Sequence, residues 1–113
     1  MRPKAIHIVY AQWCPHCVPT TVEPIRQRAE EIGVPLLLHD IDTPDVKVAD
    51  ELVKKHGDWT ADYVIPQVFF EYEGRIEHVL TGDSRGVSLT RKAVEELLAS
   101  APLSGAGTGA VPK

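Results

Sequence analysis

A chain of 113 residues carries one domain and can bury a core without a disulfide framework. Its 43% hydrophobic and 25% charged residues are ordinary for a soluble globular protein, and no apolar run reaches the roughly 18 residues a membrane span needs. A formal net charge of −4, with no basic stripe, argues against a nucleic-acid partner.

Met1-Arg2-Pro3-Lys4 opens in the manner of a signal peptide. The apolar stretch that follows, Ala5 to Ala11, contains His7 and meets no small-residue cleavage pattern before Trp13, so a cytoplasmic chain is expected. Ala5 to Tyr10 predicts a buried strand. A helix is predicted from about Cys14 to Ile32, with Val18, Val22, Ile25, Ala29 and Ile32 on its buried face and Gly33 and Pro35 ending it. Pro24 lies inside that helix and should kink it, because it lacks an N–H and its ring meets the preceding turn.

Leu36 to Ile41 predicts a second strand, apolar enough at its start to be covered on both faces. Thr43 is the expected cap of the next helix and Pro44 its first residue. Val46, Ala49, Leu52 and Val53 give that helix its apolar face, and Gly57 stops it. Strand, helix and strand read as a βαβ unit with a right-handed crossover. Residues 57–65 form a loop containing Trp59 and Tyr63. Pro66 then opens a third strand, Gln67 to Tyr72, and Glu73-Gly74 turns it into a fourth, Arg75 to Leu80, as a hairpin. A last helix is predicted over Leu89 to Ala99, with Ala93, Val94, Leu97 and Leu98 facing inward and either Ser88 or Thr90 as its cap. The domain is expected to span residues 1–99. Pro102, Ser104, Gly105, Gly107, Gly109 and Pro112 mark residues 100–113 as a flexible tail, dispensable from Ser104 onward.

The chemistry concentrates in Trp13-Cys14-Pro15-His16-Cys17. The chain has only two cysteines, and C-x-x-C spacing suggests redox chemistry or half of a metal site. At a helix start, unpaired N–H groups and the dipole would stabilise a Cys14 thiolate, the nucleophilic form. Cys17, one turn later, can attack the resulting mixed disulfide. Pro15 suits a first helical turn, and a protonated His16 would further favour the thiolate. Zinc would need more ligands than the cysteines provide. His7, His39, His56 and His78 are scattered over predicted strands and a helix end, so they are read as structural or surface residues and no metal is expected.

The order βαβ–α–ββα, with W-C-P-H-C after the first strand, Ile65-Pro66 opening the third and Gly82 after the fourth, resembles the thioredoxin superfamily over roughly residues 4–99. The resemblance implies an α/β thioredoxin fold, a four-stranded mixed sheet flanked by three helices. It implies that Cys14 is the nucleophile and Cys17 the resolving thiol, with their redox-active disulfide in place of any cofactor. Trp13, which its sequence position leaves open as a core aromatic, would be a flat apolar platform beside the site. The Ile65-Pro66 bond would be cis and face the cysteines, with Ile65, Pro66 and Gly82 at the substrate. Ile65 would offer its backbone to an extended segment as an added strand does. The implied activity is disulfide exchange with protein substrates, in a monomer recharged by an unidentified reductase or by glutathione.

Pro15-His16 matches the dipeptide of a strongly oxidising periplasmic relative, and His16 is assigned a tuning role with Pro15 and Trp13. A glutathione-dependent, glutaredoxin-like activity is the alternative. Ile65 to Phe69 resembles the glutaredoxin strand, but Ala11 stands where glutaredoxins usually carry a basic residue. A non-catalytic metal-binding domain on the same fold is the less favoured alternative. Two departures stand out. Ile8 replaces the family's usual buried Asp and Leu38 its lysine partner, leaving the proton route of Cys17 unassigned. The loop from Gly57 to Val64 is also longer than usual. Its Trp59, Asp62 and Tyr63 either form a substrate rim or merely pack.

Overall fold

Two apolar strands at the centre of one sheet set the architecture. A computed structural model describes residues 2–104 of the chain, and residues 105–113 of the expected tail lie outside them. Strands β1 (Ala5–Tyr10), β2 (Leu36–Asp40), β3 (Gln67–Tyr72) and β4 (Arg75–Thr81) form a sheet in the order β2-β1-β3-β4. β1 runs parallel to β2 and antiparallel to β3, and β3 and β4 form the hairpin about Glu73-Gly74. The sheet is therefore mixed, and with three helices the domain is α/β, as expected. No helix among the described residues is long and apolar enough to cross a membrane.

Side chains alternate across a sheet, which sorts the core into two clusters. Ile6, Ile8 and Tyr10 of β1 and Val68, Phe70 and Tyr72 of β3 pack with Ile25 and Ala29 of α1 (Glu23–Ile32) and Val94 of α3 (Val87–Ala99). Val9 and Phe69 point the other way, onto Ala49, Leu52 and Val53 of α2 (Val46–His56). Burying such side chains contributes roughly 1.5–3 kcal/mol each, so the central strands are the main apolar store of the fold.

Helix ends depart from the sequence reading where side chains compete for backbone groups. α1 stops as predicted at Gly33, which takes φ 73° and ψ 32°, left-handed values that a side chain would disfavour. α2 begins two residues after its expected start, with Asp45 before it. Thr43 instead bonds within the preceding turn, giving its hydroxyl to the Asp40 carbonyl (2.8 Å) and accepting the Asp45 N–H (3.2 Å). α3 begins at Val87 after Gly86, so neither Ser88 nor Thr90 caps it. Thr90 is fully buried and turned toward the site described below.

β2 is an edge strand and is not covered on both faces as its apolar start suggested: Leu37 remains 42% exposed. α2 covers the centre of its side of the sheet and leaves a polar line toward the edge. There Glu71 accepts from His7 Nε2 (2.7 Å), His7 Nδ1 faces His39 Nε2 (3.0 Å), and His39 Nδ1 donates to Asp45 (2.9 Å). His7 and His39, read singly from the sequence, thus belong to one structural network joining β3, β1, β2 and the start of α2.

The folded chain also extends past the boundary expected at Ala99. Residues 101–103 form a turn, and Leu103 is fully buried in the cluster beneath α1 and α3. Arg28 fixes it there by donating Nη1 to the carbonyls of Leu98 (2.8 Å) and Leu103 (2.7 Å). The compositional shift to Pro, Ser and Gly hid one anchoring leucine. Leu103→Ala should cost about 2–4 kcal/mol by opening a cavity, read as a lower urea midpoint at constant slope. An unchanged midpoint would mean that the turn does not dock in solution.

The Glu71 carboxyl is held below the usual carboxylate range, chiefly by its hydrogen bond from His7 and further by Lys4. A lowered folded-state value stabilises the protein above the unfolded pKa of about 4.3 and is lost as pH falls through the folded value. Glu71→Gln should therefore lower stability at neutral pH, and the gap to wild type should close on acidification below about pH 4. Urea titrations at both pH values check this. A gap that does not narrow would show that the His7 contact contributes nothing.

Candidate active site

β1 ends at the edge of the core and delivers Ala11 to Cys17 to one end of the sheet. This segment is not the start of a regular helix. Cys14 and Cys17 close a turn, with the Cys17 N–H on the Cys14 carbonyl (3.0 Å), and a π-helical turn follows over Val18–Val22 before α1 begins. The prolines account for the delay. Pro19 cannot donate to the Pro15 carbonyl, nor Pro24 to that of Thr20. Side chains supply donors instead: the Thr20 hydroxyl bonds the Pro15 carbonyl (2.9 Å) and the Thr21 hydroxyl that of His16 (2.7 Å). The Cys17 carbonyl accepts from both Thr21 (2.9 Å) and Val22 (2.8 Å), which is the widened turn. Where the sequence placed Cys14 on the helix N-terminus, that terminus begins at Cys17 and Val18.

Both cysteines are free thiols, and their exposure differs. Cys14 keeps 6% of its surface and Cys17 none. Burial, with a contribution from Cys14, pushes the Cys17 thiol up to about 12, so it carries its proton at neutral pH. Ile8 is buried in the core cluster and Leu38 packs against it. Tyr10 is a member of that cluster, raised above its usual range by burial and then by Asp40, with a small contribution from Cys17, and bonded by Gln12 Nε2 (3.2 Å). Sequence reasoning passed over Tyr10 because it ends a strand that reads as core throughout.

The Ile65-Pro66 bond is cis. Gly82 lies against it, donating its N–H to the Pro66 carbonyl (2.8 Å). A Cβ on Gly82 would stand 2.7 Å from Pro66 Cδ and 2.8 Å from the Ile65 carbonyl, so the glycine is required by close approach. Trp13 is not a core aromatic: it is 68% exposed, and its indole N–H donates to Asp42 (2.7 Å). Trp13 and Ile65 line one groove of about 440 Å³ with Ile41, Val46 and Tyr63, to which Asp50 and Asp62 add charge. A second hollow, about 320 Å³, lies at the other end of the sheet around Lys4, Tyr72 and Gly74, away from the cysteines.

The loop from 57 to 65 both lines the groove and packs on its surroundings. Asp62 and Tyr63 form a wall of the groove, while Trp59 packs on Tyr63 outside it, under the Lys54 ammonium (4.9 Å). Tyr63 donates its hydroxyl to Asp50 (2.8 Å), and burial first, then Asp50, holds the phenol well above its usual range. Gln67 pins the loop from beneath. Its Oε1 accepts the Asp58 N–H (3.0 Å), and its Nε2 donates to the carbonyls of Asp58 (3.2 Å) and Val64 (3.0 Å). A glutamine between Pro66 and an apolar run was the available signal for this role.

His16 is turned away from a free solvent position. Its Nδ1 meets the buried Thr90 hydroxyl (2.7 Å), which also accepts the Asp83 N–H (2.8 Å). Asp83 is held down to about 2, mainly by Arg85 and in small part by His16. His16 is thereby anchored to α3 and to the segment after Gly82. Among the described residues, no group of three or more His, Cys, Asp or Glu side chains gathers to hold a metal ion.

Comparison with protein-family models, with curated proteins and with solved structures finds no match to this chain.

Gly82→Ala should cost about 1–3 kcal/mol, because the new methyl meets backbone that cannot step aside cheaply. Thermal unfolding of the variant checks this. Wild-type stability would mean that the Ile65-Pro66 step has more room than the geometry allows.

Proposed function

We propose that this chain is a thiol–disulfide oxidoreductase of the thioredoxin type, exchanging disulfides with protein substrates through Cys14 and Cys17. The observation that carries the reading is the inequality within the dithiol: Cys17 is fully buried with its thiol pushed up to about 12, while Cys14 keeps an accessible edge. Attack by an incoming disulfide partner is sterically open only at Cys14. Support also comes from the company the pair keeps, a cis-proline step closed by Gly82 and an apolar groove between Ile65 and Trp13.

In the reductive direction, the Cys14 thiolate attacks one sulfur of the substrate disulfide. A Cys14–substrate bond forms, the substrate S–S bond breaks, and the departing sulfur leaves as a thiolate that takes a proton from solvent. Cys17 then gives up its proton and attacks the Cys14 sulfur. The Cys14–Cys17 disulfide forms, and the second substrate sulfur leaves as a thiol. Two electrons have passed to the substrate, and an external dithiol or glutathione must return them. Burial keeps Cys17 protonated in the resting dithiol, so its deprotonation belongs to the second step. Pro15 and Trp13 shape the approach, and His16, held on Thr90, is a fixed neighbour of the dithiol.

Cys17→Ser should accumulate mixed disulfides with client proteins, whereas Cys14→Ser should accumulate none. Non-reducing gels of thiol-quenched extracts, with the adduct mapped by mass spectrometry, make the comparison. Adducts on Cys17 in the Cys14→Ser protein would reverse the assignment, and no adduct in either variant would remove the exchange reading.

A further inference from the structure

The groove lined by Trp13, the residue before Cys14, has one-sided chemistry. Trp13, Ile41, Tyr63 and Ile65 give it apolar walls, Asp50 and Asp62 carry its charge, and among the described residues no lysine, arginine or histidine lines it. Tyr63 occupies only one of the two Asp50 oxygens. Lys54, one helical turn beyond Asp50, is turned to the Trp59 ring outside the groove. Asp42, bonded to the Trp13 indole N–H, adds a third carboxylate at the rim.

Resting on the oxidoreductase reading, we propose that this groove takes the chain segment flanking a substrate disulfide when that segment carries a basic side chain next to an apolar one, and disfavours acidic partners, glutathione included. The long stem of lysine or arginine can lie along Trp13 and Ile41 while its head reaches Asp50 and Asp62. The exposed indole face offers the same cation a second attraction. A carboxylate in that place would meet like charge on every side that carries charge. Glutathione is net negative at neutral pH, so the groove works against it where it favours a basic peptide. The length of the 57–65 loop acquires a purpose here, since Ala61, Asp62, Tyr63 and Ile65 are its contribution to the wall.

The test uses the pre-reduced full chain in single turnover, which removes the need for an electron donor. The probes are short disulfide peptides identical except for lysine, glutamine or glutamate beside the apolar residue next to cysteine, with glutathione disulfide as a further acidic probe. Wild type should react with the lysine peptide about threefold to fivefold faster than with the glutamine peptide, and slowest with the acidic probes. The preference should fade in about 1 M salt, where the Debye length is near 3 Å. Asp62 is exposed, so its replacement leaves the core intact. Asp62→Asn should reduce the lysine-to-glutamate ratio and Asp62→Lys should reduce it further. Equal rates for all charges in wild type, or a ratio unmoved by both Asp62 variants, overturns the charge selection alone. No reaction with any peptide overturns the oxidoreductase reading and the selection with it.

Discussion

The stretch after Cys14 is short of backbone donors, and the site depends on how that shortage is met. Pro19 and Pro24 each withhold an N–H that a regular helix would use. Hydroxyls of Thr20 and Thr21 satisfy the carbonyls of Pro15 and His16, and the turn over Val18–Val22 widens to pass the gap. Because the ladder starts late, Cys14 and Cys17 close a turn of their own instead of riding on a helix face. That turn buries Cys17 completely and leaves Cys14 a thin exposed edge, and the proposed division of labour between the sulfurs follows from this difference.

The two faces of the sheet serve different ends. The face under α1 and α3 is apolar and holds both cysteines within its cluster. The opposite face is apolar only under α2, and its remainder is a line of two carboxylates and two imidazoles. That line ends on Asp45 at the start of α2, three residues after the Asp42 that holds Trp13. The segment between β2 and α2 is therefore fixed twice, once to the interior through His39 and once to the indole at the site.

Strand and helix identities could be read from the sequence because apolar periodicity records which face is buried. β1 and β3 match their predicted spans, and β2 and β4 differ from theirs by one terminal residue. The cis step at Ile65-Pro66 was legible through resemblance, since a local motif carries it, whereas the packing of Gly82 on that step was not. What stayed hidden depends on groups distant in sequence. Thr90 reads as a helix cap until His16, from the other end of the chain, is seen on its hydroxyl. Asp42, in the turn before α2, and Asp50, within it, look like solvated acids until Trp13 and Tyr63 are placed on them. The late start of α1 was foreshadowed by its prolines, but one proline was read as a kink and the shared effect of all was not summed.

Gln67 gives the loop above it a particular kind of independence. Its amide holds the loop at Asp58 and Val64, near the two ends, and makes no bond to the residues between. The stretch from Trp59 to Tyr63 is held between these two clamps on a buried strand and tied sideways to α2, by Tyr63 on Asp50 and by Lys54 over Trp59. Thr60, Ala61 and Asp62 lie between those ties, so this side of the groove can be recut at Ala61 and Asp62 while the strand beneath stays as it is.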